Sequence, residues 1–126
     1  MHLNKGNSYT NKYGVFDLDS LLLWISKNPR EFKYKPLKNY IGYIYKSTWC
    51  DSEKLARNID ILKYDQSHQE RVFNADLSSP ILVLKETGEI IDGVHRIFKA
   101  VIERVDYIRV NTISLSELMC FRFAEF

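Results

Sequence analysis

Residues 80–96 read PILVLKETGEIIDGVHR, and this stretch decides the fold. Ile81–Leu84 is a compact apolar run after a proline, Lys85–Gly88 is a connection that ends in glycine, and Glu89–Ile91 is apolar again. This pattern predicts two antiparallel strands. After Gly93 the apolar spacing becomes helical, which predicts a helix from Val94 to Arg104. Its apolar side consists of Val94, Ile97, Phe98, Val101 and Ile102.

Regular elements are also predicted on both sides of this stretch. Val15, Phe16 and Leu18 indicate a short strand, and Asp17 or Asp19 is placed to cap a helix that ends before Asn28-Pro29. The other predicted elements are an extended segment (Phe32–Trp49), helices at Ser52–Lys63 and Ser67–Phe73, a strand at Tyr107–Ile113, and a short final helix opened by a capping box at Ser114–Glu117.

Composition limits the class of protein. A chain of 126 residues with 45% hydrophobic content is sufficient for one core. We therefore predict a single α+β domain over residues 13–126, with a small mixed β-sheet flanked by helices, after a flexible N-terminal arm at residues 1–12. A net charge of +2 identifies no polyanionic partner by itself.

The cysteines and the hydropathy of the chain indicate where the protein is located and whether it binds a metal. Cys50 and Cys120 are far apart and have no metal-ligand spacing around them, so they are predicted to be reduced, partly buried thiols. No secretory signal and no apolar run of membrane-spanning length is present in the sequence. A soluble cytoplasmic protein with no membrane partner is therefore expected.

The turn at the start of the predicted Val94 helix has the features of an anion site. Amides in the first turn of a helix lack intrahelical partners, and the helix dipole adds positive potential there. Gly93 has no Cβ to block the approach of a phosphate. Three potential cations lie on this part of the helix: His95, Arg96 and Lys99. Phosphate is thus the predicted ligand.

Two structural interpretations compete with this one. Asp-Gly is common in hairpin turns, and a polar helix face can simply be solvated, with Lys99 and Glu103 paired at i, i+4. Asp92 is equally well placed to cap the helix that follows it.

Two segments resemble a known family. Residues 75–84, ADLSSPILVL, and residues 88–100, GEIIDGVHRIFKA, look like the ParB/sulfiredoxin-like domain, also called the ParB-type N-terminal or nuclease-like domain. The shared pattern is a proline-led hairpin, Asp-Gly-x-His-Arg at a helix start and a strand after that helix, and it covers Ala75 to Ile113. The resemblance implies that Gly93, Val94, His95 and Arg96 hold nucleotide phosphates, because members bind ATP, ADP or CTP at this turn.

Departures from the family narrow the expected activity. Sulfiredoxins have a cysteine where this chain has Val94, so thiol-based repair is not expected. Partition proteins continue into a helix-turn-helix, whereas only residues 114–126 follow the last matched strand, so partition activity is not expected either.

Kinase members of the family need a carboxylate base and usually Mg²⁺. Asp92 is the preferred candidate because it adjoins the phosphate turn, with His95 as a second group that can move a proton. The other possible carboxylates are Asp17, Asp19, Glu70 and Glu89. Phosphoryl transfer or nucleotide hydrolysis is the reaction class that these residues would serve.

Two other functions stay open. Lysines interleaved with aromatic residues between Lys33 and Trp49 are typical of a surface that binds DNA or another nucleic acid, although exposed lysines on an aromatic strand explain them equally well. A small adaptor that binds a partner protein is also compatible with the sequence. The C-terminal Cys120–Phe126 then either packs as a last core segment or forms an exposed edge for such a partner.

Overall fold

A computed structural model describes residues 7–44 and 66–123. Six strands and five helices are present in these two ranges. The strands are β1 (Ser8–Asn11), β2 (Gly14–Asp17), β3 (Lys33–Pro36), β4 (Ile81–Leu84), β5 (Ile90–Asp92) and β6 (Tyr107–Ile113). The helices are α1 (Leu18–Lys27), α2 (Lys38–Ile44), α3 (Gln66–Asn74), α4 (Val94–Ile102) and α5 (Leu115–Met119).

The predicted hairpin and the helix after it are confirmed. Strands β4 and β5 are antiparallel, with Val83 opposite Ile90, and α4 begins directly after Gly93. The chain then returns in β6, which lies parallel to β4. The main sheet has the order β3-β6-β4-β5, and β1 and β2 form a separate two-stranded sheet. Together these elements make one small mixed α+β domain whose sheets are flanked by helices.

The main sheet is covered on both faces at its central strand β4, which explains why β4 is apolar at every position. Ile81 and Val83 lie in a first core that includes Ile97 and Phe98 of α4. Leu82 and Leu84 lie in a second core, on the other face. Alternate side chains of a strand point to opposite faces, so a strand between two cores is buried throughout. The second core is completed by Phe16, Leu21, Ile91, Ile113 and Leu118.

The prediction of an extended segment at Phe32–Trp49 is wrong for Lys38–Ile44, and its residues 45–49 lie outside the described residues. Strand β3 ends at Pro36, and Lys38–Ile44 is the helix α2. Leu37 is buried, while Tyr40 and Ile41 pack against the first core, which is the i, i+3, i+4 spacing of a helix. The strand preference of tyrosine and isoleucine is overridden by this packing.

The N-terminal segment is ordered earlier than the predicted boundary at Tyr13. Ser8–Asn11 fall within the expected arm of residues 1–12 and instead pair with β2, with Tyr9 opposite Phe16. Tyr9 packs against the second core. The other three residues of β1 are polar, and one apolar residue alone shows no alternation, so the sequence does not predict this strand.

The predicted caps are confirmed. Asp17 caps α1 by accepting hydrogen bonds from the Ser20 amide at 3.1 Å and the Ser20 hydroxyl at 2.7 Å, and these bonds lower the pKa of Asp17. Ser114 opens α5 with a complete capping box, in which Ser114 and Glu117 each accept from the other's amide. The predicted Ser67–Phe73 helix is present as α3.

The C-terminal segment packs onto the second core as far as it is described. Phe121 contacts that core, with its ring 5.6 Å from the Trp24 ring, and the Phe123 amide donates to the Val15 carbonyl at 2.9 Å. The prediction of a partly buried Cys120 is wrong, because this thiol is exposed. The predicted helix at Ser52–Lys63, Cys50 and Phe126 lie outside the described residues. Within the described ranges, every helix is too short or too polar to cross a bilayer.

Candidate functional site

The predicted phosphate turn begins at a glycine in an unusual conformation. Gly93 is the N-cap of α4, with φ of 112° and ψ of 16°, and it has no side chain with which to cap the helix. Its carbonyl accepts from the amides of Arg96 at 2.9 Å and Ile97 at 3.1 Å, which closes the first turn. The amides at the very start of the helix precede these bonds, and such amides attract anions.

Packing as well as conformation requires glycine at position 93. A Cβ on Gly93 would lie 2.6 Å from Ile81 Cγ2 and 3.0 Å from Arg96 Nη1. The absent Cβ therefore lets the start of α4 approach β4. From the sequence, the space left by the missing Cβ is expected to admit a phosphate. In the structure, the Ile81 side chain occupies that space.

Arg96 links the start of α4 to the loop before β4. Its Nη1 donates to the Pro80 carbonyl at 3.0 Å and lies 3.5 Å from Asp92 Oδ2. A guanidinium has five N–H donors. Among residues 7–44 and 66–123, the hydrogen bonds that Arg96 donates both come from Nη1, and no partner in these ranges takes the donors of Nη2 or Nε.

Asp92 lies beside this arginine and does not cap α4. The interpretation of Asp92 as a helix cap is wrong, because Gly93 is the N-cap and no side chain serves that role. The Asp92 side chain is about 29% exposed, so its carboxylate is accessible next to the turn. A carboxylate in this place can accept a proton from a bound hydroxyl or water.

Lys99 is directed to the end of α3. Its Nζ donates to the carbonyls of Ala75 at 2.7 Å and Phe73 at 3.0 Å, and it lies 3.9 Å from Glu103 Oε2. A lysine at the C-terminal end of a helix satisfies carbonyls that lack intrahelical partners. Two of its three ammonium protons are thus used to hold α3 against α4. The expected Lys99–Glu103 pair is confirmed.

Residues 75–80 form a wall of the site that sequence reasoning missed. Asp76 accepts hydrogen bonds from the Ser78 amide at 2.9 Å and hydroxyl at 2.6 Å, and these bonds are the main cause of its lowered pKa. The positive charges of Arg96 and Lys99 lower the pKa of Asp76 further. The Asp-x-Ser spacing predicts that Asp76 forms a local turn with Ser78. The position of this turn beside Arg96 depends on contacts between residues distant in sequence, so the sequence does not predict it.

Val94 and His95 complete the first turn of α4. Val94 packs its side chain against the first core, so only its backbone can face a ligand. His95 is half-buried on the same turn.

The other predicted carboxylates have positions elsewhere. Asp17 caps α1, Asp19 accepts from Asn7, and Glu89 accepts from Asn11 Nδ2 at 2.9 Å, whereas Glu70 is exposed on α3. Of the predicted carboxylates, the structure therefore brings Asp92 to the turn. No group of three or more His, Cys, Asp or Glu residues with metal-binding geometry occurs in residues 7–44 and 66–123.

The arrangement can therefore bind an anion at one helix end, with an arginine and a carboxylate beside it. No family model matches the chain, and the chain matches neither a curated protein nor a solved structure.

Proposed function

We propose that the protein is a nucleotide-binding member of the ParB/sulfiredoxin-like family and that it holds nucleotide phosphates at the start of α4. The observation that carries the proposal is the Gly93 N-cap, which leaves the first amides of a nine-residue helix without a side-chain acceptor. The order of hairpin, glycine turn, helix and parallel strand supports the family relation, because it is the order of the shared sequence pattern.

Arg96 supplies the side-chain part of the phosphate site. Its contacts with the Pro80 carbonyl and Asp92 both use Nη1, so Nη2 and Nε can form a two-pronged contact with a phosphate. His95 lies on the same turn and adds a group that can donate a hydrogen bond or carry a proton. Lys99 positions residues 73–75 through two carbonyls, and we assign it to holding this wall rather than to the phosphate.

Asp92 is the proposed base if the bound nucleotide reacts. It lies next to Arg96, where a terminal phosphate would be held, and its carboxylate can accept the proton of an attacking hydroxyl or water. Asp92 and Asp76 are oxygen donors of the kind that Mg²⁺ uses together with phosphate oxygens. Bound Mg²⁺ would neutralise charge on the phosphates, while the chain orients them.

Calorimetric titration of the full chain with ATP, ADP, CTP and GTP, with and without Mg²⁺, tests the proposal. At least one nucleotide should bind saturably and raise the melting temperature, because a ligand at about 100 times its Kd stabilises the folded state by about 2.7 kcal/mol. Arg96→Ala should weaken binding at least tenfold, since it removes a charge-assisted contact. Arg71→Ala removes the same charge from an exposed site on α3 and should bind as the wild type does.

Two further variants separate binding from folding and from chemistry. Arg96→Lys keeps the cation without the planar fork, so an intermediate affinity is expected even if Arg96→Ala is destabilised. Asp92→Asn should keep nucleotide affinity when Mg²⁺ is absent, but with Mg²⁺ it should lose any release of phosphate. Absence of binding to every nucleotide, or equal affinity in the wild type and Arg96→Ala, would overturn the proposal.

A further inference from the structure

Aromatic side chains gather on one face of the sheet at its β3 edge. Tyr34 lies opposite Arg109, and Pro36 lies opposite Tyr107, in the antiparallel pairing of β3 with β6. Directly opposed residues and alternate residues along a strand share a face, so Tyr34, Arg109 and Tyr107 lie on the same face. Phe32 joins them through an edge contact with Tyr34, at 5.3 Å between ring centroids. We call Phe32, Tyr34, Tyr107 and Arg109 the aromatic platform.

The rings of the aromatic platform remain open to solvent. Tyr34 is 58% exposed, Tyr107 is 61% exposed and Phe32 is 38% exposed. The two cores bury the apolar residues along the rest of the sheet. Three large rings exposed side by side are more than the scattered apolar residues found on an ordinary surface.

Arg109 is fixed in place among these rings. Its guanidinium carbon lies 4.8 Å from the Phe32 centroid and 5.6 Å from the Tyr34 centroid, and Nη1 donates to the Ser78 carbonyl at 3.0 Å. An arginine held this way presents both a flat surface and a positive charge. The aromatic platform is therefore cationic at its centre.

The charges around the aromatic platform favour a polyanion. Strand β3 adds Lys33 and Lys35, which neighbour Tyr34 along the chain but lie on the opposite face of this edge strand, paired with Val110 and Ile108. The acidic residues next to the rings in sequence are Glu31 and Asp106. Positive charges thus exceed negative ones along this edge. The edge is also protected against an added strand, because β3 has four residues and carries two lysines and Pro36.

We propose that the aromatic platform binds single-stranded nucleic acid, with bases stacked on Tyr34 and Tyr107 and the phosphate backbone held by Arg109, while the lysines on the opposite face of β3 add positive charge at the sheet edge. Exposed rings beside cations on a sheet are the combination that holds single strands without reading their sequence. The residues of this surface come from β3, β6 and the segment before β3, whereas the proposed phosphate turn lies at the start of α4. Arg109 also contacts the wall of the phosphate site, at the Ser78 carbonyl. The aromatic platform overlaps the predicted Lys33–Trp49 patch only in the first residues of that patch.

Fluorescence anisotropy with labelled DNA and RNA single strands of about 12 nucleotides tests the proposal, because such lengths match the site sizes of comparable surfaces. The full chain should bind, and affinity should fall steeply as salt rises from about 50 to 200 mM. Replacing both rings by Tyr34→Leu and Tyr107→Leu keeps apolar bulk but removes the stacking surface, and should weaken binding by about five- to a hundredfold per ring. The conservative pair Tyr34→Phe and Tyr107→Phe should bind as the wild type does.

Two controls distinguish this surface from other sites. Phe73→Leu removes a comparably exposed ring, 55% exposed, from α3 and should leave oligonucleotide binding unchanged. Arg71→Ala removes an exposed positive charge from the same helix and should also leave it unchanged, so a loss in the leucine pair reflects the aromatic platform rather than net charge.

Several outcomes contradict the inference. One is the absence of single-strand binding at low salt, and another is equal affinity in the leucine pair and the wild type. A third is binding of a proline-rich peptide, or dimerisation of the chain, that the leucine pair abolishes while oligonucleotides do not bind. Tighter binding of a duplex than of either single strand would also overturn it, since paired bases do not offer their faces.

Discussion

Two arginine–carboxylate pairs lie in different parts of this domain, and their geometries differ. Arg30 holds Glu117 through two contacts, of 2.9 and 3.2 Å, also donates to the Thr112 carbonyl, and packs over the Trp24 ring. Arg96 meets Asp92 through one nitrogen at 3.5 Å. The first pair joins the segment after α1 to α5, whereas the second joins the last residue of β5 to the first turn of α4.

The difference separates an arginine that stabilises the fold from one that is available to a ligand. The hydrogen bond from Arg30 is the main cause that lowers the pKa of Glu117 to about 2, with help from the Ser114 amide and against the effect of burial. Such a two-pronged, charge-assisted contact is strong and directional. A single contact at 3.5 Å is weak, so a phosphate can replace it at little cost.

The largest effect is expected from Gly93→Ala, which disrupts the turn that carries Arg96. The new Cβ would meet Ile81 at 2.6 Å, in a backbone with φ of 112°. Strain and overpacking should together lower the free energy of unfolding by about 2–5 kcal/mol. Urea denaturation measures this. Gly88→Ala is the matched control, because φ is 76° there but nothing lies within 4 Å, so about 1 kcal/mol is expected. Equal losses in the two variants would contradict a packing role for Gly93.

Acid should weaken the Arg30–Glu117 pair. The pKa of Glu117 is lower in the folded state, at about 2, than its ordinary value of 4.5, so the unfolded chain takes up the proton first as pH falls. The pair therefore contributes fully above about pH 5, and its contribution is lost as pH falls toward 2. Because the Glu117 side chain is 35% exposed, we expect a loss of about 1–2 kcal/mol rather than the full linkage value. Urea denaturation from about pH 6 to pH 2.5 should show a smaller decline in the free energy of unfolding for Glu117→Gln than for the wild type. Equal declines in the two proteins would refute a pH-dependent contribution of this pair.

What the sequence predicts well is local. The β4–β5 hairpin, the start of α4 at Gly93 and the capping box at Ser114 each follow from spacing within a few residues. Helix α2 is missed because tyrosine and isoleucine favour strands until a core is present for them to pack on.

The contacts that define the site are mostly long-range, and the sequence does not reveal them. Lys99 appears free on a helical wheel, yet its ammonium is bound to Phe73 and Ala75, more than twenty positions earlier. Arg30 and Glu117 are 87 positions apart, and no local pattern connects them.

Double-mutant cycles sharpen the comparison of the two pairs. Arg30→Gln with Glu117→Gln should give a coupling energy of about 1–2 kcal/mol, because both partners lose a paired contact. Arg96→Gln with Asp92→Asn should give about 0.5 kcal/mol or less, as is typical of loose pairs near the surface. Denaturation of the six variants supplies both values. Equal coupling energies in the two cycles would mean that Asp92 and Arg96 form a structural ion pair, as Arg30 and Glu117 do.

Among the single substitutions of charged residues, a small effect is expected from Lys99→Met. It keeps most of the apolar stem but loses two hydrogen bonds to carbonyls at the end of α3, so the free energy of unfolding should fall by about 1 kcal/mol. Amide exchange should quicken for Ala75 and Ser79, whose hydrogen bonds lie in that segment. Nucleotide affinity should change less than in Arg96→Ala. A loss as large as that of Arg96→Ala would place Lys99 on the phosphate instead.

The most direct test of the central claim is an amide NMR titration of the full chain with the best-binding nucleotide. We expect the amide signals of Gly93, Val94, His95 and Arg96 to shift most and to saturate together, while that of Gly88 stays in place. The same titration of Arg96→Ala should show these shifts only at much higher concentration. Shifts that avoid the start of α4, or that centre on Tyr34 and Tyr107 instead, would contradict a phosphate site there.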